Sequence, residues 1–263
     1  MSVRKKGIYM KAMKKVLSLA VVAAMALSVF ACAADTAAET EETQAAVDYE
    51  YMSYAEYEAA PLDTEVTVLC TVMATQSWWE DQITVYAQAF DGDGAYFIYN
   101  MACSEEDSEG VYEGATILVT GYKSEWEGEI EITDATFEFT DLAQENPMAP
   151  VDLTADFGND EALIANQNRN FTMTGLTVEA SGDNGEAFLY SWDGSGSQGD
   201  DLYFTVSNGE TTMTFTVESY LTGADTDVYQ TVEALNVGDT IDVSGFLYWY
   251  QGANPHITGV TVN

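Results

Sequence analysis

The sequence predicts an all-β chain of two tandem five-stranded barrels, each preceded by a short helix, set behind an export signal and a flexible tether. Three observations carry this. The chain repeats itself once, at an offset of 124 residues. Each copy holds five short runs in which apolar and polar residues alternate, the period of a half-buried strand. The first 31 residues have the anatomy of a secretory leader.

The repeat decides the domain count. Residues 113–128 read EGATILVTGYKSEWEG and residues 237–252 read VGDTIDVSGFLYWYQG. Gly114, Gly121 and Gly128 align without gaps on Gly238, Gly245 and Gly252, and Thr116-Ile117 on Thr240-Ile241. Tyr122/Phe246 and Trp126/Tyr250 are conservative pairs. So long an offset implies a duplicated domain rather than a short-period solenoid.

In the first copy the alternation predicts strands at 65–74, 83–90, 94–101, 116–123 and 129–139. Asp91-Gly92-Asp93-Gly94 makes the hairpin turn between the second and third, where glycine supplies positive φ. In the second copy it predicts strands at 170–180, 202–206, 211–217, 240–247 and 256–262, with an Asn208-Gly209 turn. Between strands three and four the alternation breaks, at 103–112 and 226–235. A short helix or turn fits there.

Five strands with that break match the oligonucleotide/oligosaccharide-binding (OB) pattern, a small partly open barrel. An immunoglobulin-like sandwich is the other candidate, but it usually has about seven strands. The phrase G-x-T-I-x-V-x-G-[YF], followed by a turn and another strand, resembles the strand 4–strand 5 hairpin of OB-like domains in exported bacterial lipoproteins. The resemblance covers roughly residues 48–263 and implies domains at 48–140 and 156–263, joined by a linker at 141–155 with Pro147 and Pro150. A helix is expected before each barrel. Ser53-x-x-Glu56 is a capping box, in which each side chain satisfies the other's backbone N–H, and Pro61 stops that helix. Residues 159–166 stand in the same place before the second copy.

The leader comprises residues 1–31. Arg4, Lys5, Lys6, Lys11, Lys14 and Lys15 precede the apolar run VLSLAVVAAMALSVF at 16–30. That run is shorter than the roughly 20 apolar residues of a membrane-spanning helix. MKKVLSLAVV makes the more compact signal, so Met10 or Met13 is a candidate start. Val29-Phe30-Ala31-Cys32 resembles the bacterial lipobox. The resemblance implies that Cys32 becomes a lipid-bearing N-terminus, a cell-membrane lipoprotein on the extracytoplasmic face, the acyl chains supplying the anchorage. A plain signal peptide with a cysteine at its cleavage site is the alternative. Residues 32–47 are acidic, rich in Ala and Thr and free of aromatics, the composition of a disordered tether.

Past Cys32 the chain keeps two basic residues, Lys123 and Arg169, against 44 acidic ones, a net charge of −42. Phosphate backbones are held by clustered Lys and Arg. No nucleic acid and no anionic lipid surface is therefore expected as a partner, while cations, cationic peptides and neutral glycans remain open. Acidity also serves solubility without any partner.

The remaining cysteines, Cys70 and Cys103, form an even pair outside the cytoplasm, open either to a disulfide or to two buried thiols. All five tryptophans fall on the two loops that rim the expected OB cleft. Trp78 and Trp79 lie in the first copy's 1–2 loop, and Trp126 in its 4–5 loop. Trp192 lies in the second copy's 1–2 loop, and Trp249 with Tyr250 in its 4–5 loop. Two readings compete: rings that face a ligand, or plugs for the open ends of small barrels. Asp91/Asp93, Asp193/Asp200/Asp201 and Asp225/Asp227 could supply oxygen ligands to calcium, but no twelve-residue calcium loop is present and Asp-Gly is first a turn signal. No metal and no cofactor is expected. The single histidine, His256, stands beside Pro255 without a nucleophile motif, so catalysis is not expected. The expectation is a non-catalytic module for a glycan or a cationic small molecule, or else a structural envelope protein without a small ligand.

Overall fold

The computed structural model describes residues 49–92, 94–144 and 148–263. The leader, Cys32, the tether and Asp93 lie outside the described residues. The described residues form one compact unit.

In chain order the elements are α1 (Tyr54–Ala59), β1 (Glu65–Thr75), β2 (Gln82–Ala89), β3 (Ala95–Ala102), α2 (Glu105–Ser108), β4 (Thr116–Trp126) and β5 (Glu129–Phe139). There follow β6 (Val151–Asp152), a 3-10 turn at Thr154–Asp156, α3 (Asp160–Ile164), β7 (Asn170–Val178), β8 (Phe188–Tyr190), β9 (Leu202–Ser207) and β10 (Thr212–Val217). The last are α4 (Asp227–Glu233), β11 (Thr240–Phe246) and β12 (His256–Val262). The first barrel closes in the order β1-β2-β3-β5-β4, with β3 and β5 parallel. The second has the same order in β7-β9-β10-β12-β11, with β10 and β12 parallel and β7 closing on β9. The chain is thus two tandem OB-like barrels, and all ten predicted strands are present.

Alternation builds each core. Val66, Val68, Cys70 and Val72 point inward from β1 and are fully buried beside Ile83, Val85, Ile98, Ile117, Val119 and Ile132. Phe171, Met173, Phe204, Val206, Phe215 and Ile241 fill the second barrel the same way. Tyr57 of α1 and Tyr229 with Val232 of α4 close the barrel ends. The Ser53–Glu56 capping box forms as expected. Lys123 takes the other end of α1: its ammonium donates to the carbonyls of Tyr57, Glu58 and Ala60 at 2.9–3.0 Å. One buried lysine thus gathers three carbonyls at the helix end, where the chain leaves acceptors without intrahelical donors.

The repeated glycines have repeated geometry. Gly114 and Gly238 enter strand four at φ +94° and +95°. A Cβ on Gly121 would fall within 3 Å of the Thr133 carbonyl, and one on Gly245 within 3 Å of Ile257 Cα. Both sit where the strand 4–strand 5 register slips by a residue.

Two points differ from expectation, and of the two states left open for the cysteines one is found. β6 and β8 extend the second sheet and were not predicted, being two and three residues long, too short to show alternation. β4 runs on to Trp126, so that ring sits at a strand end rather than in a loop. Cys70 and Cys103 are free buried thiols. The Cys70 thiol turns to the Ile117 carbonyl across β4 and the Cys103 thiol to the Ser104 carbonyl, each with its own partner.

Candidate ligand cleft at the barrel junction

The outward face of β2 and β3 is covered over part of its length. Tyr86 and Phe97 are buried against Phe246 of the second barrel, with Leu221 and Tyr248 packed alongside. Rings run unbroken across the junction. Phe246 stacks on Tyr86 at 4.6 Å, Tyr86 meets Phe97 at 5.1 Å, Phe97 meets Tyr248 edge-on at 5.2 Å, and Tyr248 stacks on His256 at 4.3 Å. Tyr86 Oη lies 2.7 Å from His256 Nδ1. Burial pulls the His256 pKa down to about 3, so the imidazole is neutral and shares a hydrogen bond with the tyrosine through Nδ1.

A second set of contacts fixes the barrels side by side. The backbone N–H of Trp249 donates to Glu129 Oε2 at 2.8 Å, and the Trp249 ring lies over Gly128. Gln251 N donates to the Glu127 carbonyl at 2.8 Å, and Ser77 N to the Tyr220 carbonyl at 2.7 Å. The two 4–5 hairpins therefore grip one another. Glu129 is fully buried, and desolvation holds its carboxyl well above the usual carboxylate range.

Above the ring array lies a cleft of about 550 Å³. Tyr99 on β3, Tyr203 on β9, and Trp192, Tyr248 and Tyr250 on second-barrel loops supply aromatic walls, with Asp201 and Glu218 between them. Asp201 Oδ1 accepts from the Ser219 N–H and hydroxyl, at 2.8 and 2.7 Å, which seats it beside Glu218. Glu218 Oε2 accepts from Leu221 N at 2.8 Å. Burial first, and the Asp201 charge second, push the Glu218 carboxyl up to about 7. The Thr216 hydroxyl donates to Asn254 Oδ1 at 2.7 Å and so fixes that amide's orientation. A smaller hollow of about 320 Å³, lined by Trp79 and Tyr220, shares Gln76, Tyr99 and Glu218 with the cleft.

The six aromatic residues singled out by sequence separate into three groups. Trp192, 76% exposed, and Tyr250 line the cleft, and Trp79, 66% exposed, lines its extension. Trp78 and Trp249 are plugs. Trp78 Nε1 donates to the Cys103 carbonyl at 2.8 Å against the first core, and Trp249 belongs to the second core. Trp126 is 58% exposed and lines neither hollow. Tyr99, Tyr203, Tyr248 and Glu218 line the cleft without having been singled out by sequence, and Asp201, named there only as a possible calcium ligand, joins them. One signal was present: in β3, AYFIYNMA, large aromatics occupy both faces, and a face turned to water has no use for them. The loop carboxylates hold their own turns, Asp193 on Ser195 N and Asp200 on Ser197 N.

No protein-family model matches this chain, and no curated protein matches it. Solved structures do. A murine DNA-binding protein bound with ds DNA is 12% identical at a TM-score of 0.33, over 75% of this chain and 94% of that one. The Ifi202 HINa domain in complex with 20bp dsDNA is 11% identical at 0.34, over 77% and 96%. A deletion mutant of the single-stranded DNA binding protein from Thermus aquaticus is 12% identical at 0.25, over 77% and 95%. These matches correct two expectations drawn from charge: that nucleic acid is excluded as a partner, and that the ligand is a glycan or a cationic small molecule, or none at all. The first two of those proteins are described in complex with double-stranded DNA. Likenesses this distant assign no ligand to the present chain.

Proposed function

We propose that the junction cleft binds a flat heterocycle with hydrogen-bonding edges, a nucleobase, and that the chain does so as an exported lipoprotein tethered through Cys32. One observation carries the ligand class: Tyr99, Tyr203, Tyr248, Tyr250 and Trp192 surround one cleft whose polar groups include two carboxylates and an amide. Aromatic side chains stack on any base, each stack contributing about 1–3 kcal/mol. Asp201 and Glu218 suit the amino and ring N–H groups along a base edge, as carboxylates accept from such donors.

The base can arrive on a free nucleoside or in an unpaired strand, and salt distinguishes the two. Nucleic-acid binding ordinarily weakens with salt because cations are released. With 44 acids against two bases past Cys32, this chain repels phosphates. Strand binding should therefore strengthen as salt screens the repulsion, while nucleoside binding stays flat. Trp192 emission, followed during titration with the four nucleosides and with an unpaired oligonucleotide, tests the reading. A saturable shift that Tyr250→Ala weakens by about tenfold, as loss of one stack requires, supports it. No saturable change with any base overturns it.

The lipobox-like Val29-Phe30-Ala31-Cys32 supports the anchor. Detergent-phase partitioning that Cys32→Ala abolishes is the expected outcome; equal aqueous recovery of both proteins would remove the anchor from the reading. We also read the cleft as non-catalytic. The lone histidine is buried, neutral and engaged by Tyr86, which leaves it poorly placed as a general base.

A further inference from the structure

Stacking accounts for a base in the junction cleft but not for which base, because every base has a flat face. Choice among bases falls to the polar groups set between the rings. Three of these line the cleft: Asp201, Glu218 and Asn254. All three are half-buried, so each keeps an open side. Their inner sides are already engaged. Asp201 Oδ1 takes the Ser219 N–H and hydroxyl, and the Glu218 carboxyl takes the backbone N–H groups of Tyr220 and Leu221. Asn254 Oδ1 takes the Thr216 hydroxyl. These bonds fix what each residue offers a ligand. An ionised carboxyl has lone pairs to spare and no proton, so Asp201 and Glu218 offer acceptors. Asn254, its oxygen engaged, offers its NH2, which donates to no other group among the described residues. The two carboxyls stand close enough for the charge of Asp201 to act on Glu218, so the acceptors are neighbours.

Building on the base reading above, we propose that the cleft selects guanine: Asp201 and Glu218 accept from N1–H and N2–H2, and the Asn254 NH2 donates to O6. The pairing edges of the bases decide this. Adenine shows a donor beside an acceptor, cytosine a donor beside two acceptors, and uracil a donor between two acceptors. Guanine alone shows two adjacent donors followed by an acceptor. Any other base turns a lone pair toward a carboxylate, which leaves two acceptors facing one another out of water. Guanine instead places two N–H groups against two carboxyls that otherwise repel.

Equilibrium dialysis of the full chain at pH 8, where Glu218 is ionised, tests the selection. The probes are guanosine, inosine, adenosine, cytidine and uridine. Inosine keeps O6 and N1–H and lacks only the 2-amino group. Guanosine should bind at least about tenfold more tightly than adenosine, cytidine or uridine. Inosine should bind about tenfold more weakly than guanosine, as loss of one hydrogen bond to a charged group requires. Glu218→Gln puts an amide where the second acceptor stood and should cut guanosine affinity by a similar factor, narrowing the gap to adenosine. Equal affinities across the bases, or preference for another base, would overturn guanine selection and leave the base reading standing. Binding by no nucleoside would remove both. A guanosine preference undiminished in both Glu218→Gln and Asp201→Asn would overturn the role given to these carboxyls.

Discussion

Tyr86 and His256 come from different barrels, yet each completes the other. A hydrogen bond joins the phenol to Nδ1, and both residues are buried. Tyr86→Phe leaves the ring stack on Phe246 intact but orphans the imidazole nitrogen. The expected loss is about 1–3 kcal/mol, read by urea denaturation at neutral pH. Glu218 gives the pH signature of the same junction. Its folded-state pKa of about 7 lies above the ordinary 4.5, so the folded protein holds that proton more tightly than the unfolded chain. Its effect favours folding most below pH 4.5, declines as pH rises toward 7, and is flat beyond. His256 runs the other way. With its pKa lowered from 6.5 to about 3, stability is full above 6.5 and is lost as pH falls toward 3. The two slopes oppose one another between about pH 4.5 and 6.5. Glu218→Gln should raise stability at pH 8 by no more than about 3 kcal/mol, and should unmask a steeper acid-side loss owed to His256. Denaturation midpoints across pH 3–9 that leave the acid limb unchanged in Glu218→Gln would show that the carboxyl does not titrate as described.

At the scale of elements, glycine spacing carried more than glycine count. Gly121 and Gly245 mark the place in each barrel where strand four passes closest to strand five, and no side chain fits. Gly245→Ala is expected to cost about 1–3 kcal/mol through overpacking. Gly209→Ala, at positive φ in a turn with open space around it, should cost nearer 1 kcal/mol through backbone strain alone. Thermal unfolding of both would separate the two causes; equal losses would contradict the close approach. The strands themselves were legible because a barrel wall has one wet and one dry face, which forces alternation. β6 and β8 were not, since two or three residues have no period. The cleft was half legible. Exposed Trp192 and Tyr250 announced a surface, but Trp249, next in sequence to Tyr250, is a plug, and sequence cannot say which of two adjacent rings turns inward. Glu218 was hidden among 44 acids and Asp201 was read only as a possible calcium ligand; their hydrogen bonds to Ser219 and Leu221 distinguish them.

For the molecule as a whole, the junction decides whether two barrels behave as two domains. Duplication and a proline-containing linker pointed to separate units. Yet Tyr86, Phe97 and Phe246 form a buried cluster that belongs to neither barrel core alone. The N–H of Trp249 is tied to a buried carboxyl in the other barrel. Exposing that cluster and breaking that hydrogen bond would burden either barrel if it unfolded first, so the pair should unfold as one. A single transition is therefore expected, with coincident fluorescence and circular-dichroism curves. Phe246→Asp is the discriminating change. Residue 246 packs on the junction, so a carboxylate there cannot be buried against Tyr86 without a large desolvation cost, while the interiors of both barrels stay apolar. The variant should unfold in two steps, and small-angle scattering should show the barrels parted while each keeps its sheet. The cleft would be lost with them, since Tyr99 comes from the first barrel and Tyr203 and Tyr250 from the second. Base binding should disappear in Phe246→Asp even though every cleft residue is still present. Undiminished binding would mean that one barrel carries the site unaided.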